Sequence, residues 1–342
     1  MKNGEFVTNW VIEQVKKNYA DDIALVVSHT TLRIDTDEDA VSFFVPITQR
    51  GYEFGRTFIL NGEGFDIWGI PWERLERFAE LEEYNTTVLA EAKVLYARSK
   101  EDEEYFEELR KRLGENLQNR KKMRACALEA YAQAKEIYLQ MLFTKGSEVK
   151  LGAGYVLDYL ARSIAFSNCR YFKQSQTNQL EELGTMEKVP EGFGEKYLQV
   201  IKETNGEEQK ALCYQLICQV QEFLEALEEQ QEREEVKEKN FQDLADWYGE
   251  LSYTWLRIRH YASKQDYIKI YMWGIYLQEE LRQVCGDFGL EKQELMDYYE
   301  PDKLENFVKQ ADLIEEKIRQ AIEAGGGKIH EYATKEEFLN EV

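Results

Sequence analysis

The first hundred residues alternate between short apolar runs and segments with a helical period. Residues 8–19 place apolar side chains every three to four positions, which predicts an amphipathic helix with Thr8 as its N-cap. Compact or alternating apolar runs then predict β-strands. These strands are expected at residues 22–28, 41–47, 57–60, 64–68 and 94–97. Residues 72–81 return to the helical period behind Pro71, a residue that favours the first turn of a helix.

The third and fourth predicted strands are separated by Asn61-Gly62-Glu63. Asn-Gly readily takes the positive φ angles of a tight hairpin, so these two strands are expected to pair with each other. The succession helix, two strands, hairpin, helix and strand predicts one small α/β domain with a mixed sheet.

After residue 100 the strand pattern disappears and the helical period continues. Helices are expected at residues 102–118, 121–143, 151–172, 194–204, 207–238, 241–262, 265–285 and 302–323. Long helices with short links predict an all-helical bundle. The fold class is therefore α+β, with an α/β domain at 1–100, a bundle at 101–324 and a C-terminal tail at 325–342.

The net charge of the chain limits the classes of ligand that it is expected to bind. The 342 residues include 43 Lys and Arg against 65 Asp and Glu, for a formal net charge of −22. Such a chain repels phosphate backbones and anionic lipid, so we expect neither nucleic-acid nor membrane binding. A small cationic molecule would be attracted, but acidity that serves solubility alone is the more common reason for such a composition.

Cysteine and histidine usage points to the cytoplasm. Five cysteines are scattered without Cys-x-x-Cys spacing, and three histidines lie far apart. This distribution predicts reduced thiols and no zinc site. The chain starts without an apolar signal segment, and no stretch approaches the length of a membrane span. We therefore expect a cytoplasmic protein.

Carboxylates near the predicted sheet are the candidates for chemistry. The loop before the second strand is acidic and ends at Asp39, and Asp66 interrupts an apolar strand. A carboxylate in such a strand is costly unless it faces a cleft, a metal or a partner. If the two strands are neighbours, Asp39 and Asp66 could hold Mg²⁺ together with a nucleotide's phosphates. The alternative is a solvated loop and an Asp66 on the exposed face of an edge strand.

This arrangement resembles the nucleotidyltransferase superfamily over residues 5–100. It is most similar to the aminoglycoside (kanamycin-type) nucleotidyltransferases, which append a helical bundle to such a domain. In that family a Gly-Ser pair follows the first strand and holds the nucleotide's phosphates. An Asp-x-Asp pair at the start of the next strand and a third Asp on a later strand bind two Mg²⁺.

The resemblance places only the third family carboxylate, at Asp66. Thr30 and Thr31 fall where Gly-Ser belongs, while Ala40 and Ser42 fall at the two aspartates of Asp-x-Asp. The resemblance thus implies that Thr30, Thr31 and Ser42 contact a nucleotide. It also implies that two of the three metal ligands are absent from their usual positions.

A shift of one residue would let Asp39 replace one lost carboxylate. Asp39 and Asp66 are then the implied metal ligands, with Asp66 and Glu63 as the catalytic carboxylates and Mg²⁺ as the cofactor of an active form. In the predicted bundle, the segment from Arg162 to Lys173 is similar to the family's helix beside the acceptor pocket. A core helix with one polar side is the alternative for that segment.

Three interpretations remain open at this point. The leading one is a nucleotidyltransferase-like protein, catalytically weakened or inactive, that binds a nucleotide or small polar ligand between sheet and bundle. The second is an active transferase that moves a nucleoside monophosphate from ATP to a hydroxyl of a small, aminoglycoside-like acceptor. The third is a helical scaffold for a protein partner. The sequence does not determine the oligomeric state.

Overall fold

The computed structural model describes residues 2–29, 40–83, 86–173, 178–234 and 239–341. It confirms the α+β class, with a small mixed sheet followed by a helical region. The strands are β1 (Ile23–His29), β2 (Val41–Pro46), β3 (Arg56–Leu60), β4 (Glu63–Gly69) and β5 (Ala92–Ala97). The helices among them are α1 (Asn3–Asn18), α2 (Gln49–Tyr52), α3 (Trp72–Ala79) and α4 (Thr87–Ala90).

The sheet has the order β3-β4-β2-β1-β5. β2 and β4 are parallel, while the other neighbouring pairs are antiparallel. The predicted hairpin between β3 and β4 is confirmed. Asn61 and Gly62 both have positive φ angles, of 51° and 82°, which matches the right-handed twist of the flanking strands.

Helices cover the two faces of the sheet unequally. α1 packs Val7, Val11 and Val15 on one face, against buried residues of β1, β2 and β4. On the opposite face lie α3, α4 and α5 (Lys100–Gln118), which bury Leu25, Phe43 and other side chains of β1 and β2. Successive side chains of a strand point to opposite faces, so these apolar runs are buried on both sides.

The predicted N-cap of the first helix is wrong. α1 begins at Asn3, with Lys2 as its N-cap, and Thr8 lies inside the helix. The Thr8 hydroxyl instead accepts a hydrogen bond of 3.0 Å from the backbone N–H of Val41, the first residue of β2. A threonine among polar residues resembles a cap in sequence, but here it joins the helix to the sheet.

α-Helices are the main regular elements of the described chain after β5. They are α5, α6 (Arg120–Leu142), α7 (Ser147–Ser167), α8 (Gln179–Leu183), α9 (Phe193–Lys202), α10 (Gly206–Glu234), α11 (Phe241–Ser263), α12 (Tyr267–Phe288), α13 (Leu304–Ala324) and α14 (Lys335–Glu341). All eight predicted helices are present. The short helices α8 and α14 have too few turns to show a period and were not predicted.

α7 ends five residues before its predicted end. Cys169 takes a positive φ of 55°, and the N–H of Arg170 bonds back to the carbonyl of Ala165 at 2.9 Å. This left-handed turn closes the helix as a glycine would, but the sequence has a cysteine there. The usual sequence signal for a helix end is therefore absent.

The chain forms two compact units, Met1–Glu234 and Glu235–Val342. The first contains the sheet and α5 to α10, and the second contains α11 to α14. The domain boundaries expected near residues 100 and 324 fall inside these units and stay predictions. None of the described helices has the length and apolar character to cross a membrane.

Candidate functional site

One end of the sheet brings several predicted site positions together. β1 ends and β5 begins there, since His29 pairs with Ala92, and β2 also begins there, since Val41 pairs with Ser28. We call this end the loop end. The parallel strand β4 adds Asp66, which precedes Trp68, the partner of Phe43 in β2, by two residues.

Ser42 lies at the loop end as the extra residue of a β-bulge. Val27 pairs with Phe43 and Ser28 with Val41, so Ser42 falls between two consecutive register pairs. Its side chain is half-buried, and its hydroxyl donates to the carbonyl oxygen of Ala40 at 3.4 Å. Bulges commonly re-aim a side chain, and this one lies where the family resemblance places a metal ligand.

Asp66 lies on the exposed face of β4. Its neighbours Phe65 and Ile67 are buried beneath α1, so Asp66 points to the opposite face, which α3 to α5 do not cover at this edge. The hydroxyl of Thr57, its partner residue on β3, donates to Asp66 Oδ1 at 2.7 Å. The carboxylate is therefore held in place by one neighbour and otherwise faces outward on the exposed side of the β3–β4 hairpin.

The structure does not bring Glu63 and Asp66 together. They are an odd number of residues apart on one strand, so their side chains point to opposite faces of the sheet. Glu63 Oε2 accepts a hydrogen bond of 3.2 Å from the side-chain amide of Asn3, at the start of α1. A shared catalytic role for the two carboxylates therefore has no support from their geometry.

The remaining predicted ligands, Thr30, Thr31 and Asp39, lie outside the described residues. Within the described ranges, no group of three or more His, Cys, Asp or Glu side chains is arranged to hold a metal ion. Ala40, at the place of one family aspartate, is buried and carries no ligand atom. Asp66 is thus the position, among those that the resemblance assigns to a carboxylate, at which the described structure has a carboxylate near the loop end.

The helical region joins the sheet at this same end. Glu91 immediately precedes β5, and its Oε1 accepts a hydrogen bond of 2.6 Å from the Tyr171 hydroxyl, beyond the end of α7. The Lys173 ammonium lies 3.3 Å from the same oxygen. Three side chains from two distant parts of the chain therefore meet beside the loop end.

These contacts, which we call the junction, set the protonation states of Glu91 and Tyr171. Burial tends to raise the pKa of the Glu91 carboxyl, but hydrogen bonds from Tyr171 and Lys173 outweigh it and hold the pKa below its ordinary value. Burial, together with the hydrogen bond to Glu91, raises the pKa of the Tyr171 hydroxyl. At neutral pH Glu91 is therefore a carboxylate that accepts a hydrogen bond from the neutral Tyr171 hydroxyl. Its lowered pKa makes it a weak base, so its contribution here is to hold the two parts of the chain together.

We expect Glu91→Gln to destabilise the protein by about 1 kcal/mol at neutral pH, because it removes a charged acceptor from two donors. A lowered pKa in the folded state stabilises the fold above the ordinary carboxyl pKa, and that stability is lost as the pH falls through the folded value. The difference in unfolding free energy between wild type and variant should therefore shrink as the pH falls from about 5 to about 3.

Urea unfolding at a series of pH values measures this difference. Glu53→Gln, which changes an exposed glutamate after α2, is the matched control and should show no comparable pH dependence. A difference for Glu91→Gln that stayed constant down to pH 3 would mean that its charge does not contribute to the junction.

Sequence reasoning missed Glu91, which stands between two short elements without a motif. Tyr171 belongs to the segment that is similar to the family's acceptor helix, yet it lies beyond the end of α7. Their meeting depends on the fold of the whole first unit, and a local pattern carries no signal for it.

A buried polar centre lies inside the helical part of the first unit. Asp158 and Arg162, one turn apart on α7, form an ion pair in which each residue is at least 90% buried. Gln179, at the start of α8, donates to Asp158, and Tyr197 of α9 donates to the Gln179 oxygen at 3.4 Å. The Arg162 guanidinium also lies over the Tyr159 ring. This centre fixes three helices to one another.

The aromatic residues of α11 and α12 divide between the core and the surface. Trp255 and Tyr248 are buried in the second unit. The Arg257 guanidinium lies 4.5 Å from the Tyr253 ring centroid and 4.2 Å from that of Trp273. Arg257 therefore occupies the place between the two rings that a cationic ligand would take. Its cation–π contacts link α11 to α12.

Solved structures similar to this chain include a nucleotidyltransferase-like protein from Exiguobacterium sibiricum. It is similar at 14% sequence identity and a TM-score of 0.36, over 67% of this chain and 80% of that one. No protein-family model matches the sequence, and no curated protein matches it.

Proposed function

We propose that this chain is a nucleotidyltransferase-like protein that binds a nucleotide or another small polar ligand at the loop end, beside the junction with the helical region, and has lost efficient transfer. The observation that carries the proposal is that only one of the three positions at which the resemblance expects a carboxylate has one. Asp66 is exposed at the loop end, whereas the two positions at which the resemblance expects further carboxylates are occupied by buried Ala40 and bulged Ser42.

Loss of transfer follows from the chemistry that two metal ions supply. In phosphoryl transfer they neutralise the phosphate charge and stabilise the attacking and leaving oxygens. Asp66 with Thr57 does not fit the ligand requirement of two ions. It does fit one Mg²⁺ bound mainly through a nucleotide's phosphates and water, because Mg²⁺ commonly uses only one or two protein carboxylates.

Binding of ATP with Mg²⁺ is expected to weaken about tenfold in Asp66→Asn, since one charge-assisted contact is lost. Isothermal titration calorimetry on the full chain, with and without Mg²⁺, measures this change. Asp21→Asn is the matched control, because Asp21 is an exposed aspartate just before β1, at the opposite end of the sheet. It should leave the affinity unchanged.

The same preparations separate binding from transfer. We expect no steady turnover with ATP, Mg²⁺ and aminoglycosides. Turnover that Asp66→Asn abolished would establish the active transferase instead. Absence of nucleotide binding, or binding that Asp66→Asn leaves intact, would refute the proposed site. Because Asp66 is exposed, its replacement should change the unfolding free energy by no more than about 0.5 kcal/mol, so folding does not confound the comparison.

A further inference from the structure

The first half of α12 carries apolar side chains on two faces. One face packs Ile270, Gly274 and Leu277 into the core of the second unit. The other is exposed and carries six large side chains, here called the α12 face: Tyr267, Ile268, Tyr271, Met272, Ile275 and Tyr276. Large apolar patches on a protein surface commonly mark a site of interaction.

The α12 face exposes more apolar area than the largest patch on a typical monomer. Its six side chains are between 42% and 62% exposed, and Tyr253 of α11 extends it through the Arg257 contact with Trp273. Large side chains of this kind bury about 150–250 Å² each, so the exposed part is on the order of 700 Å². The largest apolar patch on a typical monomer is about 300–600 Å², and a standard interface buries about 800 Å² per partner.

Charges at the two ends of the α12 face identify its partner. Lys264 is exposed in the turn before α12, and Glu279 is exposed on the same side of the helix as Met272 and Ile275. Asp266 and Lys269 neutralise each other at the first end, which leaves Lys264 there and Glu279 at the other end. A second α12 placed antiparallel across the face brings each Lys264 to the Glu279 of the other copy, with Tyr271 and Met272 at the centre.

We propose that the α12 face is a homodimer interface, in which two copies of this chain pack α12 antiparallel about a two-fold axis. The contact is isologous, so each copy contributes the same apolar stripe and the same two charges. It lies in the second unit and does not depend on the ligand site at the loop end.

Sedimentation equilibrium on the full chain tests the apolar part of the interface. We expect a dimer for the wild type and a dimerisation constant weakened about 100-fold or more in Met272→Glu, since a carboxylate would be buried at the centre of the contact. Leu139→Glu is the matched control, because Leu139 is equally exposed on α6 of the first unit. It should leave dimerisation unchanged.

Charge reversal tests the antiparallel geometry. Lys264→Glu and Glu279→Lys should each weaken the dimer, because each places two pairs of like charges at the interface. An equimolar mixture of the two variants should dimerise again, since every pair in the mixed dimer has opposite signs. Weakening by each single variant would distinguish this geometry from a parallel one, in which Lys264 and Glu279 already face their own copies in the wild type. Circular dichroism of each variant confirms that it is folded.

Three outcomes would overturn the proposal. The first is a wild type that stays monomeric up to about 100 μM, well above the concentrations at which interfaces of this size associate. The second is a dimer that Leu139→Glu breaks and Met272→Glu does not, which would place the interface on the first unit. The third is a pair of charge variants that weaken the dimer and do not recover on mixing, which would exclude the antiparallel arrangement.

Discussion

Asp158→Asn is expected to lower the unfolding free energy of the first unit by about 3–5 kcal/mol. The substitution leaves the Arg162 guanidinium in the interior of the helices without this countercharge. It also replaces a carboxylate that accepts hydrogen bonds from Arg162 and Gln179 with a group that is half donor. Two buried charges are tolerable together because each compensates part of the desolvation of the other. Urea unfolding followed by far-UV circular dichroism measures the loss.

The control for Asp158→Asn is an exposed pair with the same spacing. Glu108 and Arg112 are also an acid and an arginine four residues apart, but they lie on the surface of α5. Glu108→Gln should change stability by no more than about 0.5 kcal/mol. The double variant Asp158→Leu with Arg162→Met removes both charges and should recover most of the loss. A small effect of Asp158→Asn would show that water reaches Arg162.

The same variant tests how the chain divides into cooperative parts. If Met1–Glu234 unfolds as one unit, Asp158→Asn should speed hydrogen exchange in β1 and β2 as well as in α7. If residues 1–100 form an independent domain, as the change of period predicts, exchange in the strands should stay as in the wild type. Mass spectrometry of peptides from the exchanged protein separates the two outcomes.

Most of the fold was predictable because its elements are long or strongly patterned. The five strands appear at the expected places, and the Asn61-Gly62 hairpin has the backbone angles that its residues favour. The differences arise where tertiary contacts override a local signal. Thr8 bonds to Val41 in place of capping a helix, and Cys169 ends α7 in a conformation usually taken by glycine.

The candidate site was less predictable, because strand faces and bulges depend on register. The resemblance predicts site roles for Asp66 and Ser42, and both residues lie toward the loop end. It also grouped Glu63 with Asp66, although side-chain alternation along β4 puts them on opposite faces. The bulge at Ser42 comes from pairing between β1 and β2, and one strand's sequence does not reveal it. Glu91 joins the site region through Tyr171, a residue eighty positions away.

Trp255→Ala is expected to cost the second unit about 3–5 kcal/mol, the range for truncating a large buried aromatic residue. Trp255 is fully buried between α11 and α13, where its indole N–H donates to the carbonyl oxygen of Ala311 at 3.2 Å. Its ring contacts those of Trp247 and Tyr248. The substitution leaves a cavity at the centre of the second core and removes this aromatic packing.

Differential scanning calorimetry shows whether this loss stays within the second unit. The two units are compact by themselves, so each should have its own thermal transition. Trp255→Ala should lower the midpoint temperature of the second unit's transition, and Asp158→Asn should leave that midpoint unchanged. Leu313→Ala is the matched control, since Leu313 is exposed on α13 and its truncation should cost no more than about 0.5 kcal/mol. If the protein shows a single transition, and Trp255→Ala and Asp158→Asn lower its midpoint temperature equally, the two units unfold together. The second unit would then lack independent stability, although its core is separate.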